Sequence, residues 1–240
     1  MSLQFTTSNQ HSDNHGIKGL VYGEAGTGKT TLAATAPSPL ILAVEAGMLS
    51  LRRSNLERLF GVGTPGITYD VPAIIIRSLE DLNEAYTFCT TNPSMGAIQT
   101  LYLDSLTEIA EVVLNAAKRT VRDPRQAYGE LIEKMETLIR AFVNLPGKHV
   151  IMTSKMEPMK DELTGVVRYG PMMPGAKLSV KLPYMYDEVF RLGVNKDPQG
   201  NAFRFLQTQP DMQFQAKDRS GALAPMEPPH LAHIFAKIGA

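Results

Sequence analysis

Cysteine is nearly missing from this chain of 240 residues, with Cys89 the only one. A lone cysteine excludes an internal disulfide and a cysteine-rich zinc site, and it suits a reducing cytosol. A surplus of one charge sign is missing too, because 24 Lys and Arg face 24 Asp and Glu. Any nucleic acid must then be held by a local basic patch and not by the overall field. No apolar run approaches membrane-spanning length, which sets a membrane protein aside. Residues 1–16 are polar and lack the apolar centre of a secretory signal. They read as a flexible arm, in which Phe5 stands alone as a candidate anchor on an adjacent subunit. No internal repeat or low-complexity tract is visible. The expectation is a soluble cytoplasmic protein with an arm over 1–16 and one α/β domain over 17–240.

Glycine supplies the strongest positive signal. Gly23-Glu24-Ala25-Gly26-Thr27-Gly28-Lys29-Thr30 fits the phosphate-loop pattern GxxxxGK[ST] at every fixed position. The apolar run Ile17–Tyr22 precedes it and the helix-favouring stretch Thr31–Thr35 follows. That strand–loop–helix setting turns a pattern into a site. The glycines let successive backbone N–H groups point into one concavity that holds a phosphate. Lys29 then reaches the β- and γ-phosphates and the Thr30 hydroxyl ligates Mg²⁺. Residues 23–31, Thr31 included, are the expected ATP-binding segment.

The rest of the chain alternates between two periods. Residues 17–22, 40–44, 73–76, 100–103 and 150–153 are short, apolar and rich in β-branched side chains, so they read as buried parallel strands. Helices are expected at 29–36, 47–59, 79–91, 106–119 and 129–144, the last from the spacing of Leu131, Met135, Leu138, Ile139 and Phe142. This alternation predicts a mainly parallel sheet flanked by helices, with ligands at the strands' C-terminal edge. After Thr153 the pattern changes. Ser154–Pro183 reads as a long connection with a hairpin turn at Glu162–Gly165 and no long helix. Strands at 186–192, 202–208 and 212–216 form a C-terminal antiparallel extension, with a turn over Asn195–Asn201. A Pro-rich loop at 225–229 and a helix near 231–238 close the chain.

Asp104 ends the strand Thr100-Leu101-Tyr102-Leu103, where an acid holds the Mg²⁺ shell in phosphate-loop ATPases; helix capping is its alternative role. Hydrolysis also needs a group that orients water. Ring ATPases of the AAA type commonly place Glu directly after this Asp, but here the next residue is Ser105. Two acids are candidates: Glu45, at the end of the strand Leu40–Val44, and Glu108, one helical turn beyond Asp104. A strand-tip acid is better placed beside a γ-phosphate, which favours Glu45. Thr153 or Ser154 is placed to sense that phosphate from a third strand tip.

Asp104-Ser105, the separate Glu45 and the late segment Ala216-Lys217-Asp218-Arg219 together resemble the RecA/RadA recombinase core. Leu20-Val21-Tyr22-Gly23-Glu24 and Gln207-Thr208-Gln209-Pro210-Asp211 are more narrowly similar to phage-encoded, RecA-like nucleotide-binding proteins. The resemblance spans about residues 17–224 and departs at Asp218, where RadA-type proteins have Asn. It implies a RecA-like fold, MgATP hydrolysis and self-association into a ring or filament with ATP between subunits. On that resemblance Lys217 and Arg219 are cations supplied to the neighbouring subunit's γ-phosphate.

The resemblance further implies single-stranded DNA as partner. Lys118, Arg119, Arg122 and Arg125 occupy the place of a first DNA-facing loop, with Tyr128 offering a stacking face. Lys155, Arg168 and Lys177, with Lys160 and Lys181, occupy the place of a second, diluted by Glu157, Asp161 and Glu162. Three functions follow as expectations: a DNA-stimulated ATPase of annealing or recombination, a motor or loader of phage DNA packaging or replication, and an assembly module with little hydrolysis. A small-molecule kinase is disfavoured, because no lid with paired arginines follows the sheet.

Overall fold

The computed structural model describes residues 6–8, 10, 15–44, 48–121, 123–160 and 165–239. In chain order the elements begin with β1 (Lys18–Tyr22), α1 (Lys29–Leu32, continued as a 3-10 turn to Thr35), β2 (Pro39–Ala43) and, after a 3-10 turn over Met48–Leu51, α2 (Arg53–Phe60). Then come β3 (Ala73–Ile75), α3 (Leu79–Thr91), β4 (Thr100–Asp104), α4 (Leu106–Thr120), α5 (Pro124–Val143) and β5 (His149–Ser154). The remainder comprises β6 (Met156–Lys160), β7 (Val167–Pro171), α6 (Ala176–Lys181), β8 (Glu188–Lys196), β9 (Ala202–Gln207), β10 (Lys217–Asp218), β11 (Met226–Glu227) and α7 (Leu231–Ile238).

The main sheet runs β11-β9-β8-β1-β5-β4-β2-β3, with β10 also paired to β8. From β8 to β3 every pairing is parallel, whereas β9, β10 and β11 join antiparallel. The expected architecture is therefore present: a mainly parallel sheet flanked by helices, with an antiparallel C-terminal extension. One core packs α3, α4 and α5 against one face of the sheet. A second packs α1 and α7 against the other. Strands β1, β2 and β4 are buried along their whole length, as apolar runs covered on both faces must be. At the foot of β1, buried Lys18 donates to the carbonyls of Leu145 (2.7 Å) and Lys148 (2.6 Å).

Several expected boundaries move for local reasons. Helix α5 starts at Pro124, five residues before the apolar period becomes legible. Asp123 accepts from the Arg125 backbone N–H as N-cap, and Pro124 fits the first turn because it lacks an N–H to satisfy. Helix α3 begins on a capping box between Ser78 and Asp81. Strand β3 is not a buried strand: it lies at the sheet edge, with Ile75 exposed. The strand expected at 212–216 is reduced to one bridge, Phe214 to Tyr169 of β7, and pairing with the main sheet begins at Lys217, opposite Val189 of β8. Strand β8 begins at Glu188 and runs on to Lys196, so the turn shortens to Asp197–Asn201. The loop 225–229 contains β11. Within 154–183 the chain makes the antiparallel pair β6–β7; residues 162–164 of the turn expected at Glu162–Gly165, and the candidate anchor Phe5, lie outside the described residues.

For the site, one topological fact matters most. Strand β5 lies between β1 and β4, with Thr153 opposite Val21 and Met152 opposite Leu103. The tip of β5 therefore stands between the phosphate loop and Asp104.

Candidate functional site

The loop leaves β1 at Gly23, pressed against β8: a Cβ there would lie 2.5 Å from the Leu192 carbonyl oxygen, so only glycine fits. At Gly28 the chain adopts φ +103°, which admits glycine and strains other residues. Thr27 Oγ1 donates to the Glu24 carbonyl at 2.9 Å and Thr31 Oγ1 to the Gly28 carbonyl at 2.8 Å. Ala25 and Gly26 form the exposed rim. Lys29 Nζ sits inside the curl and donates to the carbonyls of Gly23 and Glu24, both at 2.8 Å. Tyr102 Oη reaches from β4 to the Lys29 carbonyl at 2.5 Å and fixes the start of α1. Burial holds that phenol well above its ordinary pKa, so it stays a neutral donor.

Asp104 is almost fully buried and held from two sides. Thr30 Oγ1 donates to its Oδ2 at 2.6 Å, and Thr153 Oγ1 donates to its Oδ1. A hydroxyl and a carboxylate side by side are hard oxygen donors of the kind Mg²⁺ prefers. Among the described residues no group of three or more His, Cys, Asp or Glu side chains is placed to hold a metal. The pair thus suits an ion that takes its other oxygens from phosphate and water.

The two candidate bases differ. Glu45 lies outside the described residues. Its neighbour Val44 donates its backbone N–H to the Asp104 carbonyl at 2.9 Å. Glu108 forms an ion pair with Lys155. Lys155 lines the cleft over the phosphate loop, together with Asp104, Met156 and Met172. That cleft measures about 640 Å³. Lys155, expected among the DNA cations, borders this cleft over the phosphate loop.

The family model described as an AAA domain matches residues 15–220. The chain belongs to this AAA-domain family. A comparison with curated proteins gave no match. The molecule is thus an AAA-type P-loop ATPase domain, and its shared chemistry is nucleotide binding and hydrolysis. In this AAA domain the position after Asp104 is a buried serine, Ser105.

The remaining expected site residues of the AAA domain lie apart from the loop. Lys217 Nζ turns into its own chain and donates to the carbonyls of Pro183 and Tyr186. Arg219 Nη1 donates to Asp187 Oδ1 at 2.6 Å. Strand β10 pairs with Val189 and Glu188 at the start of β8, before the phosphate-loop contact at Leu192 in mid-strand. Neither cation is near its own phosphate loop, so any role at a γ-phosphate requires a second copy.

Lys118 and Arg119 are exposed in the last turn of α4, and Lys118 Nζ lies 5.8 Å from the Tyr128 ring centroid. Arg125 is exposed in the first turn of α5, while Arg122 lies outside the described residues. Arg168 on β7 and Lys177 on α6 are exposed. Two of these sequence-distant segments meet: a Cβ at Gly175 would be 3.4 Å from the Tyr128 ring, and Lys181 pairs with Glu136 at 2.5 Å.

Sequence reasoning missed the far wall of the cleft. Ser50, Asn55, Arg58 and Leu59 line it from α2 and the turn before it, and Arg204 lines it from β9. Arg204 stands between Phe203 and Phe205 in an alternating strand, which marks it as facing away from Phe205's buried side. Which strand faces the phosphate loop was not legible without the sheet order. Among the described residues no helix is long and apolar enough to cross a membrane.

Proposed function

We propose that this AAA-type ATPase domain is a RecA-like, phage-type enzyme that binds and hydrolyses MgATP, self-associates with ATP between subunits, and assembles on single-stranded DNA. The observation that carries the reading is the hydrogen-bonded series Thr30–Asp104–Thr153. Thr153 and Ser154 end β5, and the chain continues directly through Lys155 into the β6–β7 pair. A change at the phosphate end of the cleft thus has a short, packed route to the segment that would face DNA.

Each residue has a distinct task in this reading. The loop 23–31 orients the phosphates through its backbone, and Lys29 neutralises β- and γ-oxygens. Thr30 and Asp104 hold Mg²⁺, which when bound neutralises charge developing on the transferred phosphoryl group. Glu45 orients the attacking water, and Thr153 keeps Asp104 in its rotamer. Lys217 and Arg219 serve a neighbouring subunit's nucleotide. The DNA reading is supported by the meeting of Tyr128 with Gly175 and by Arg119, Arg125, Arg168 and Lys177, which have no carboxylate partner among the described residues.

ATP turnover measured with and without single-stranded DNA tests the reading; stimulation supports it. The alternative reading is a motor or loader of phage DNA packaging or replication. ATP turnover that ignores single-stranded DNA at low salt would select that alternative.

A further inference from the structure

Arg204 lies outside the phosphate-loop motif, yet its side chain rests on it. A Cβ placed on Gly28 would be 3.3 Å from Arg204 Nε and 3.5 Å from its Cδ. The guanidinium lines two adjoining spaces. One is the main cleft, with Lys29, Thr30 and Asp104. The other is a smaller pocket of about 180 Å³ lined by Gly28, Thr31, Leu32, Leu59, Phe60, Leu192 and Pro229. Gly28, Thr31, Leu59 and Arg204 border both, whereas Lys29, Thr30 and Asp104 border only the first. Arg204 thus marks the end of the loop away from the metal pair. Its side chain has no hydrogen-bond or ion-pair partner among the described residues, although three carboxylates elsewhere are matched to Lys155, Lys181 and Arg219.

We propose that Arg204 is a phosphate-binding residue supplied in cis, which grips the α- and β-phosphates of a nucleoside di- or triphosphate as they pass over Gly28. The inference rests on the nucleotide-binding reading above and adds a polarity to it. The γ-phosphate lies toward Thr30 and Asp104, and the base lies toward the mostly apolar pocket beyond Arg204. A planar guanidinium matches two phosphate oxygens at once, and apolar walls with few polar groups suit a base. Because Arg204 touches the part shared by ATP and ADP, it contributes to binding both and distinguishes little between them.

The test uses the full chain with Arg204→Ala and Arg204→Lys, and ATP, ADP and AMP as probes in direct binding and steady-state turnover. Arg204→Ala should weaken ATP and ADP alike by about 10- to 100-fold, the range for losing charge-assisted hydrogen bonds. KM should rise in step, with kcat at saturation changed less than about threefold, since uniform binding was removed. Arg204→Lys should recover part of the affinity as a point charge. Arg204 is solvent-exposed, so thermal unfolding of both variants should match the parent. Undiminished ADP affinity in Arg204→Ala overturns the inference, whether ATP affinity is also kept or kcat alone falls; the latter result would move the contact to the γ-phosphate. Failure of the parent protein itself to bind ATP or ADP would instead reject the nucleotide-site reading.

Discussion

Thr153 Oγ1 lies 2.5 Å from Asp104 Oδ1, so the tip of β5 holds the carboxylate that Thr30 holds from the phosphate loop. Neither hydroxyl lies within forty residues of Asp104 in sequence; the parallel order β1-β5-β4 brings them together. Thr153→Val keeps the shape and removes the donor. We expect kcat to fall about tenfold or more, with ATP affinity changed less than threefold, because the carboxylate is freed to rotate while the phosphate loop is intact. Turnover and binding measured on the same preparation check this; unchanged kcat would reduce Thr153 to a strand-end hydroxyl.

Lys29→Ala should abolish triphosphate binding and leave the fold intact. The ammonium donates to the carbonyls of Gly23 and Glu24, which belong to the phosphate loop itself. Far-UV circular dichroism alongside ATP titration separates the two effects. Normal ATP affinity in the folded variant would remove the loop from the mechanism.

Glu45→Gln should still bind MgATP and lose about 10²- to 10⁴-fold in turnover, the range for a general base. Glu108→Gln should do much less, because Glu108 is committed to its ion pair with Lys155. Single-turnover rates for the two variants decide the ranking, and the reverse order would assign the water to Glu108.

Replacing Arg122 and Arg125 with Ala should weaken single-stranded DNA binding similarly on different base sequences and lower its salt dependence, as expected when phosphate contacts are lost. ATP turnover without DNA should change little, since Arg125 does not line the nucleotide cleft. Fluorescence anisotropy across a salt series gives the slope; an unaltered slope would take this corner out of the DNA path.

Glu188 is buried at the start of β8, and burial together with Asp218 and Asp187 pushes its carboxyl up to about 8. A raised acid pKa means that the folded state keeps a proton that the unfolded chain releases above its ordinary value of 4.5. Its contribution is thus fully present below that value and is lost as pH rises through about 8. Burial lowers His149 from 6.5 to about 4, which acts in the opposite direction below pH 6.5, so the clean window is pH 6.5 to 8. Across it the melting temperature should fall for the parent and stay flatter for Glu188→Gln, as read by calorimetry. Parallel curves would show that Glu188 does not titrate in this range.

The sequence by itself determined the phosphate loop, because its function rests on backbone freedom at glycines and on one lysine and one threonine within eight consecutive positions. It also determined the parallel strands around it, since a strand covered on both faces must be apolar throughout, and the helix near 231–238. Element edges set by single residues were less legible: Pro124 opens α5 before the apolar period shows, and edge strand β3 reads as apolar as its buried neighbours. Only the tertiary structure decided which side chains share the cleft. Lys155 lines it while pairing with Glu108, Arg204 arrives from β9, and Lys217, which does not line it, folds back onto Pro183 and Tyr186. The physical reason is range. Backbone geometry and burial leave a local period in the sequence, whereas a cation's partner is set by strand order, which brings together residues far apart along the chain.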